Sequence, residues 1–174
     1  AISTHGRDGF YRGPVAEAQV AEMQRSGGVI AAEDLASYRG KFRPPVRGTY
    51  RGLEIVSMPP PSSGGIALIQ MLNLLEAYPL RQLGPGSERT LHLLAESMRI
   101  AFRDRTHHLG DPDFTAIPVQ RLLAKEYAAF RRPEIGELAT SMDASPPPAT
   151  WSESDQTTHY SVVDARGGAV SVTT

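Results

Sequence analysis

The run Pro59-Pro60-Pro61-Ser62-Ser63-Gly64-Gly65, followed directly by Ile66–Ala77, constrains the fold more than any other part of the chain. Three prolines force an extended approach, and a serine is available to cap the helix predicted to begin at Ile66. That helix carries Ile66, Leu68, Ile69, Met71, Leu72, Leu74 and Leu75 around nearly its whole circumference. A helix with no polar face is expected to be buried on most sides. At 174 residues the chain is long enough to build the core this requires. The same run, Ile66 to Leu75, is the longest apolar-rich stretch and is broken by Gln70 and Asn73. It falls well short of the ~20 apolar residues a membrane-spanning helix needs, so a soluble chain is expected.

Other elements follow from local signals. Pro14 at a first helical turn and Gly27-Gly28 at a stop bracket a helix whose period includes Val15, Gln19, Val20 and Met23. A shorter helix over Ala32–Ser37 is expected to carry Leu35 and Tyr38 toward a core. Val46–Tyr50 and Leu53–Ser57, joined by Arg51-Gly52, predict a β-hairpin. Ser87 can cap a long helix ending near His108, with Leu91, Leu94, Ala95, Met98, Ala101 and Phe102 as its apolar stripe and Glu96, Arg99 and Arg103 as its wet face. One further helix is expected over about Val119–Arg131, after Pro118. From Thr140 to Asp155 the composition turns to Ser, Pro, Ala and acid, with Pro146-Pro147-Pro148 at the middle, as in a mobile connector. Beyond it, Thr157–Asp164 and Ala169–Thr174 are β-prone runs joined by Ala165-Arg166-Gly167-Gly168, a second hairpin. There are no internal repeats.

Composition removes several function classes. Eighteen basic against nineteen acidic residues give a net charge of −1, which argues against nucleic acid or an anionic membrane held by bulk charge. With no cysteine, thiol nucleophiles, disulfides and cysteine-ligated zinc are excluded, and the redox compartment is left open. The sequence begins without methionine or an apolar leader and stops inside a predicted strand, so a piece of a longer polypeptide is expected.

The chemically informative position is Thr157, the first residue of a predicted strand, directly after the Ser/Pro/acid connector. An internal threonine is an inert alcohol. As a chain's first residue it gains a free α-amine with a pKa of about 8, able to take its own hydroxyl's proton. One scission would supply both nucleophile and base, and the same hydroxyl could perform it by attacking the Gln156 carbonyl if a donor stabilised the oxyanion. On residue type alone, threonines on a half-buried edge strand are the commoner explanation.

Several long runs in a fixed order shift that balance. Glu153-Ser-Asp-Gln-Thr-Thr-His-Tyr-Ser-Val-Val-Asp164 and Gly168-Ala-Val-Ser-Val-Thr-Thr174 resemble the junction between the large and small subunits of the γ-glutamyltranspeptidases, members of the N-terminal-nucleophile hydrolases. Val46–Gly52, Ser57–Gly65, Leu93–Met98, Ala101–Arg105 and Leu109–Phe114 are similar, in order, to that family's large subunit. The resemblance implies an α+β fold, a mainly helical fragment of an αββα sandwich. It divides the chain into residues 1–139 (the large subunit's helical C-terminal part with a hairpin), 140–156 (a connector ending at the autoprocessing bond) and 157–174 (the first small-subunit strands). It implies that autoprocessing between Gln156 and Thr157 makes Thr157 the catalytic nucleophile. The expected substrates are γ-glutamyl compounds such as glutathione, with water or an amino acid as acceptor and the remainder of the polypeptide as partner. No cofactor or metal, nucleic acid or membrane is implied, and the implied location is periplasmic or secreted. The family's second threonine, its glutamyl-gripping residues and its carboxylate-binding arginine fall outside this sequence, so the fragment itself is expected to be uncleaved and inactive. A related amide acylase of the cephalosporin acylase kind is the alternative enzyme, and a non-catalytic helical interaction module the alternative outside enzymes.

Other residues invite bland explanations. Ser62-Ser63-Gly64-Gly65 at a helix start could bind an anion, though capping and packing explain it as well, and no lysine follows to make a nucleotide loop. Asp104, His107, His108, Asp111 and Asp113 bring carboxylates and imidazoles together, but adjacent helical histidines diverge by roughly 100° and suit a helix end better than one ion. His159 shares a strand face with Thr157 and is expected to be structural, and Trp151 a local anchor.

Overall fold

The computed structural model describes residues 1–140 and 159–173. They divide into two compact units, Ala1–Pro44 and a second beginning at Pro45.

The first unit holds four helices: α1 (Ile2–His5), α2 (Asp8–Tyr11), α3 (Gly13–Ser26) and α4 (Ala32–Ser37). Pro14 occupies the first turn of α3 and Gly27 ends it, as the sequence signals predict. The Asp34 carboxylate accepts the Ala31 N–H at 2.8 Å and so closes the start of α4. At the other end of α4, Arg7 donates to the carbonyls of Ala36 at 3.0 Å and Tyr38 at 2.7 Å, satisfying acceptors that a helix terminus leaves open. Leu35 is buried as expected, but Tyr38 is exposed and stacks on Tyr11, whose ring also lies beneath the Arg7 guanidinium. A phenol whose hydroxyl stays wet can contribute its ring face to a surface stack instead of a core.

The second unit is built around α5 (Gly64–Leu75). Strands β1 (Val46–Tyr50) and β2 (Leu53–Ser57) pair antiparallel, Val46 opposite Ser57 and Tyr50 opposite Leu53. Arg51 and Gly52 both take positive φ, 48° and 83°, the backbone of the tightest hairpin turn. A non-glycine residue is held there because the Arg51 N–H donates to the Glu76 carboxylate at 2.6 Å and its guanidinium to the Tyr78 carbonyl at 2.7 Å. Glu76 also pairs with Lys125. The hairpin lies close on α5: a Cβ on Gly65 would stand 2.2 Å from the Met58 carbonyl oxygen, so only glycine allows that approach. The three prolines do not simply run extended. The Pro60–Pro61 bond is cis and the chain turns there, an option open because a prolyl amide has little trans preference. Ser63 sits at the N-cap without capping; its hydroxyl accepts from Arg105 instead, at 3.1 Å.

A short helix α6 (Leu80–Leu83) leads to α7 (Glu88–His108), capped by Ser87, whose Oγ accepts the Thr90 N–H at 3.2 Å. The helix is present as predicted, but its orientation is not. Leu91, Leu94, Ala95, Met98 and Phe102 are exposed, while Leu93, Glu96, Ser97, Ile100, Ala101 and Asp104 are buried. Leu93 and Ile100 lie a heptad apart on a second apolar face with the small Ser97 between them, and this is the face that packs in the interior. The helix expected over Val119–Arg131 is two, α8 (Val119–Leu123) and α9 (Lys125–Arg131), separated by extended backbone at Ala124. Buried Asn73 donates to the Leu123 carbonyl at 2.9 Å, occupying an acceptor the break sets free. The break also lets the two halves serve different cores. Leu122 joins Val46, Ile66 and Ile69 under the hairpin, and Ala128 joins Leu74, Leu75, Leu93, Ile100 and Ile135.

Strands β3 (His159–Val163) and β4 (Ala169–Thr173) form the second predicted hairpin, Tyr160 opposite Val172 and Val162 opposite Val170. Its turn is held by the Asp164 carboxylate, which accepts the N–H groups of Arg166 and Gly168, each at 2.8 Å. Among the described residues no helix is long and apolar enough to cross a membrane.

The rotation of α7 yields a direct comparison. Leu93 is 0% and Leu94 38% exposed. Leu93→Ala should therefore destabilise this chain by about 2–5 kcal/mol and Leu94→Ala by less than about 1, read from urea denaturation.

Candidate functional site

Gln156, Thr157 and Trp151 lie outside the described residues, so the site is approached from the groups that flank it. Downstream, β3 begins at His159, two positions after Thr157. Upstream, Thr140 is fixed to the interior: its N–H donates to Glu96 Oε1 at 2.9 Å and its hydroxyl to Glu96 Oε2 at 2.8 Å. Arg99, one turn further along α7, donates to the same carboxylate at 2.9 Å.

Glu96 was expected on the wet face of α7 and is instead 4% exposed. Burial alone would raise its carboxyl, but the two hydrogen bonds from Thr140 and the one from Arg99 outweigh that and hold it below its ordinary value. Glu134 behaves alike. Burial opposes its charge, and the guanidinium groups of Arg131 and Arg103 more than restore it.

The Asp104, His107 and His108 group is taken apart by the fold. Asp104 turns into the core, where it accepts from Arg131 at 2.5 Å, Gln70 at 2.8 Å and the Tyr127 hydroxyl at 3.0 Å. His107 Nδ1 lies 2.7 Å from the Arg103 carbonyl one turn back on the exposed side of the helix. Asp111 accepts the Asp113 N–H at 2.9 Å in the turn after α7. Among the described residues no group of three His, Asp or Glu is placed to hold a metal. Asp104 is thus a structural acid, joining α7 to α5 through Gln70 and to α9 through Tyr127 and Arg131. Burial pushes the Tyr127 phenol up, and its hydrogen bond to Asp104 does so further. Gln70, Tyr127 and Arg131 line a small cavity with Leu74, Ile100, Leu122 and Ala128, and Gln70 Oε1 has no protein partner.

Sequence reasoning missed Glu96, Gln70 and the Asp104–Arg131 pair. The available signal was the alternative face of α7, where Leu93 and Ile100 alternate with Glu96, Ser97 and Asp104 at helical spacing.

The described residues form an α+β arrangement, a set of helices carrying one close-laid hairpin and followed in the chain by a second hairpin. Comparison with known proteins gives the family. The Gamma-glutamyltranspeptidase family profile matches residues 1–174, and the chain belongs to that family. It is 45% identical over 174 residues to the glutathione hydrolase proenzyme of Escherichia coli (strain K12), covering 99% of this chain and 30% of that protein. It is 46% identical over 173 residues to the acylase ACY 1 proenzyme of Pseudomonas sp. (strain SE83), again covering 99% and 30%. The Helicobacter pylori gamma-glutamyltranspeptidase structure superimposes with a TM-score of 0.75 at 44% identity, over 89% of this chain and 45% of that one. Cephalosporin acylase from Bacillus halodurans gives 0.69 at 32% identity, over 78% and 25%. The chain therefore spans about 30% of the length of the curated relatives it matches.

Two outcomes follow from the buried charges. Arg131→Met leaves the Asp104 carboxylate buried without its counter-charge and should cost about 3–5 kcal/mol in urea denaturation, part of which Asp104→Leu in the same chain should restore. Because Glu96 and Glu134 have folded values below the ordinary 4.5, the stability they confer is fully present above that value. It is lost as pH falls through the folded values, so unfolding free energy should decline in acid below pH 4.5. Glu134→Gln should flatten that decline.

Proposed function

We propose that this chain is part of the precursor of a γ-glutamyltransferase/hydrolase and that Thr157 is its latent nucleophile. The observation that carries the reading is the family match along all 174 residues, with Gln156-Thr157 immediately ahead of the β3–β4 hairpin. In the precursor, Thr157 Oγ attacks the Gln156 carbonyl carbon, and the C–N bond breaks as the Thr157 nitrogen takes up a proton. Water then hydrolyses the resulting ester. Gln156 is left as a carboxylate terminus and Thr157 as an amine terminus. In turnover, the α-amine receives the hydroxyl's proton while Oγ attacks the γ-glutamyl carbonyl of a donor such as glutathione. The donor's amine departs protonated, and the glutamyl ester is resolved by water or by the amine of an amino acid. A location outside the cytoplasm belongs to this proposal, and a chain without cysteine is compatible with it.

The second reading is an amide acylase that shares the nucleophile and differs in its pocket. Near-equal identity to a glutathione hydrolase proenzyme and to an acylase proenzyme favours keeping it. That near-equality supports a scaffold common to both readings.

The test is made on the complete protein. Intact mass should show scission before Thr157 over time, and Thr157→Ala should abolish both that scission and hydrolysis of donors. Faster cleavage of γ-glutamyl anilides than of glutaryl amides supports the first reading, and the reverse order supports the acylase. Hydrolysis undiminished by Thr157→Ala would remove both.

A further inference from the structure

A carboxylate can only accept hydrogen bonds, so the side of the Gln70 amide that faces Asp104 at 2.8 Å has to be its NH2 group. The amide oxygen, Oε1, is then directed away from the carboxylate. Gln70 is 4% exposed, and its Oε1 is buried with no hydrogen-bond partner among the described residues. Asn73 and Ser97 each leave a buried oxygen in the same condition, but of the three only Gln70 lines the cavity between α5, α7, α8 and α9.

That cavity offers about 10 Å³ to the centre of a water molecule, which is room for one and no more. Leu74, Ile100, Leu122 and Ala128 make part of its wall apolar, and a cavity walled only by such groups stays dry. The polar part decides the case. Tyr127 Oη donates to Asp104 and accepts from Arg131 Nη1 at 2.6 Å, which leaves it one lone pair. Arg131 Nη2 carries two N–H groups, and its contact with Glu134, at 3.4 Å, uses one of them weakly. Together with Gln70 Oε1 these place two acceptors and one donor around the space of one water, and a buried water commonly makes about three bonds. The Arg131 charge disfavours a cation there and the Asp104 carboxylate an anion, whereas a neutral molecule that both donates and accepts suits the mixture.

We propose that one ordered water occupies this cavity, donates to Gln70 Oε1 and is bonded to Tyr127 and Arg131, so that solvent rather than a side chain completes the junction of α5 with α9 beside Asp104. The magnitudes favour occupancy. A buried acceptor left unpaired costs about fivefold to about 150-fold in the folding equilibrium, while immobilising one water costs about thirtyfold at the upper bound and commonly far less. The site belongs to the scaffold and is independent of the function proposed above.

The direct test is a crystal structure of the complete protein at a resolution that orders individual waters. Density for one water is expected about 2.7–3.2 Å from Gln70 Oε1 and within the same range of Tyr127 Oη or Arg131 Nη2. An empty cavity, or a protein donor seated on Oε1, overturns the proposal. A second measurement works in solution, through the sign of a coupling. Ala128→Val adds two methyl groups to the cavity wall and leaves no room for the water, which in the parent strands Oε1. Its loss of thermal midpoint in the parent should therefore exceed, by at least about 2 °C, the loss it causes in a Gln70→Met background, where there is no acceptor to strand. Overpacking and the lower helix propensity of valine are common to both backgrounds and cancel. Equal losses, or a smaller loss in the parent, overturn the proposal. Should Gln70→Met or Ala128→Val fail to fold, the crystal structure decides alone.

Discussion

The second unit depends on one buried charge pair. Asp104 and Arg131 meet at 2.5 Å with both side chains almost wholly out of water. Their mutual attraction at that depth does little more than offset desolvation, so the pair adds less to net stability than its geometry suggests. Its larger effect is on which packing is allowed. Asp104 faces the Gln70 amide of α5 and the Tyr127 hydroxyl beside α9, and a rotation of α7 that turned it out to water would take the acceptor away from the buried Arg131 guanidinium and the Gln70 amide. That requirement turns Leu91, Leu94, Met98 and Phe102 outward although all four are apolar. A helix with two apolar faces is oriented here by its polar residues.

This explains which parts of the fold were legible in the sequence. Several element ends set by backbone chemistry were readable, although α5 starts at Gly64 and not at Ile66. The Arg51-Gly52 turn, Pro14 and Gly27 at the ends of α3, and Ser87 before α7 each act through φ, a missing N–H or a local acceptor, and none needs a partner far along the chain. Orientation was not readable, because it is settled between residues such as Asp104 and Arg131, 27 positions apart. Gln70 and Asn73 were treated as interruptions of an apolar helix. Both are buried contacts, one to Asp104 and one to the Leu123 carbonyl, and Leu68 is the exposed residue instead. The break at Ala124 belongs to the same class, since Asn73, rather than any local signal, donates to the carbonyl it frees.

For the site, legibility divides along another line. The proposal for Thr157 comes from its position in the chain, and the hairpin expected after it is present over the described residues. Glu96 was hidden, because beside Arg99 on a long helix it has the appearance of an ordinary exposed ion pair. Only Thr140, arriving from 44 positions away, shows that the pair is internal.

The two ends of the Gln156–Thr157 segment are unequal, and the inequality has a mechanical consequence for the proposed reaction. Thr157 is two residues from the first residue of β3, so in the proposed reaction it stays within about 7 Å of that strand before and after scission. Gln156 is sixteen residues from Thr140, a span of up to about 55 Å when extended, so in the proposed reaction chain length does not tie the new carboxylate end to Thr157 once the bond is cut. Scission in this arrangement does not have to unfold anything in the described scaffold, which is what a protein needs if it is to be its own substrate once and an enzyme afterwards.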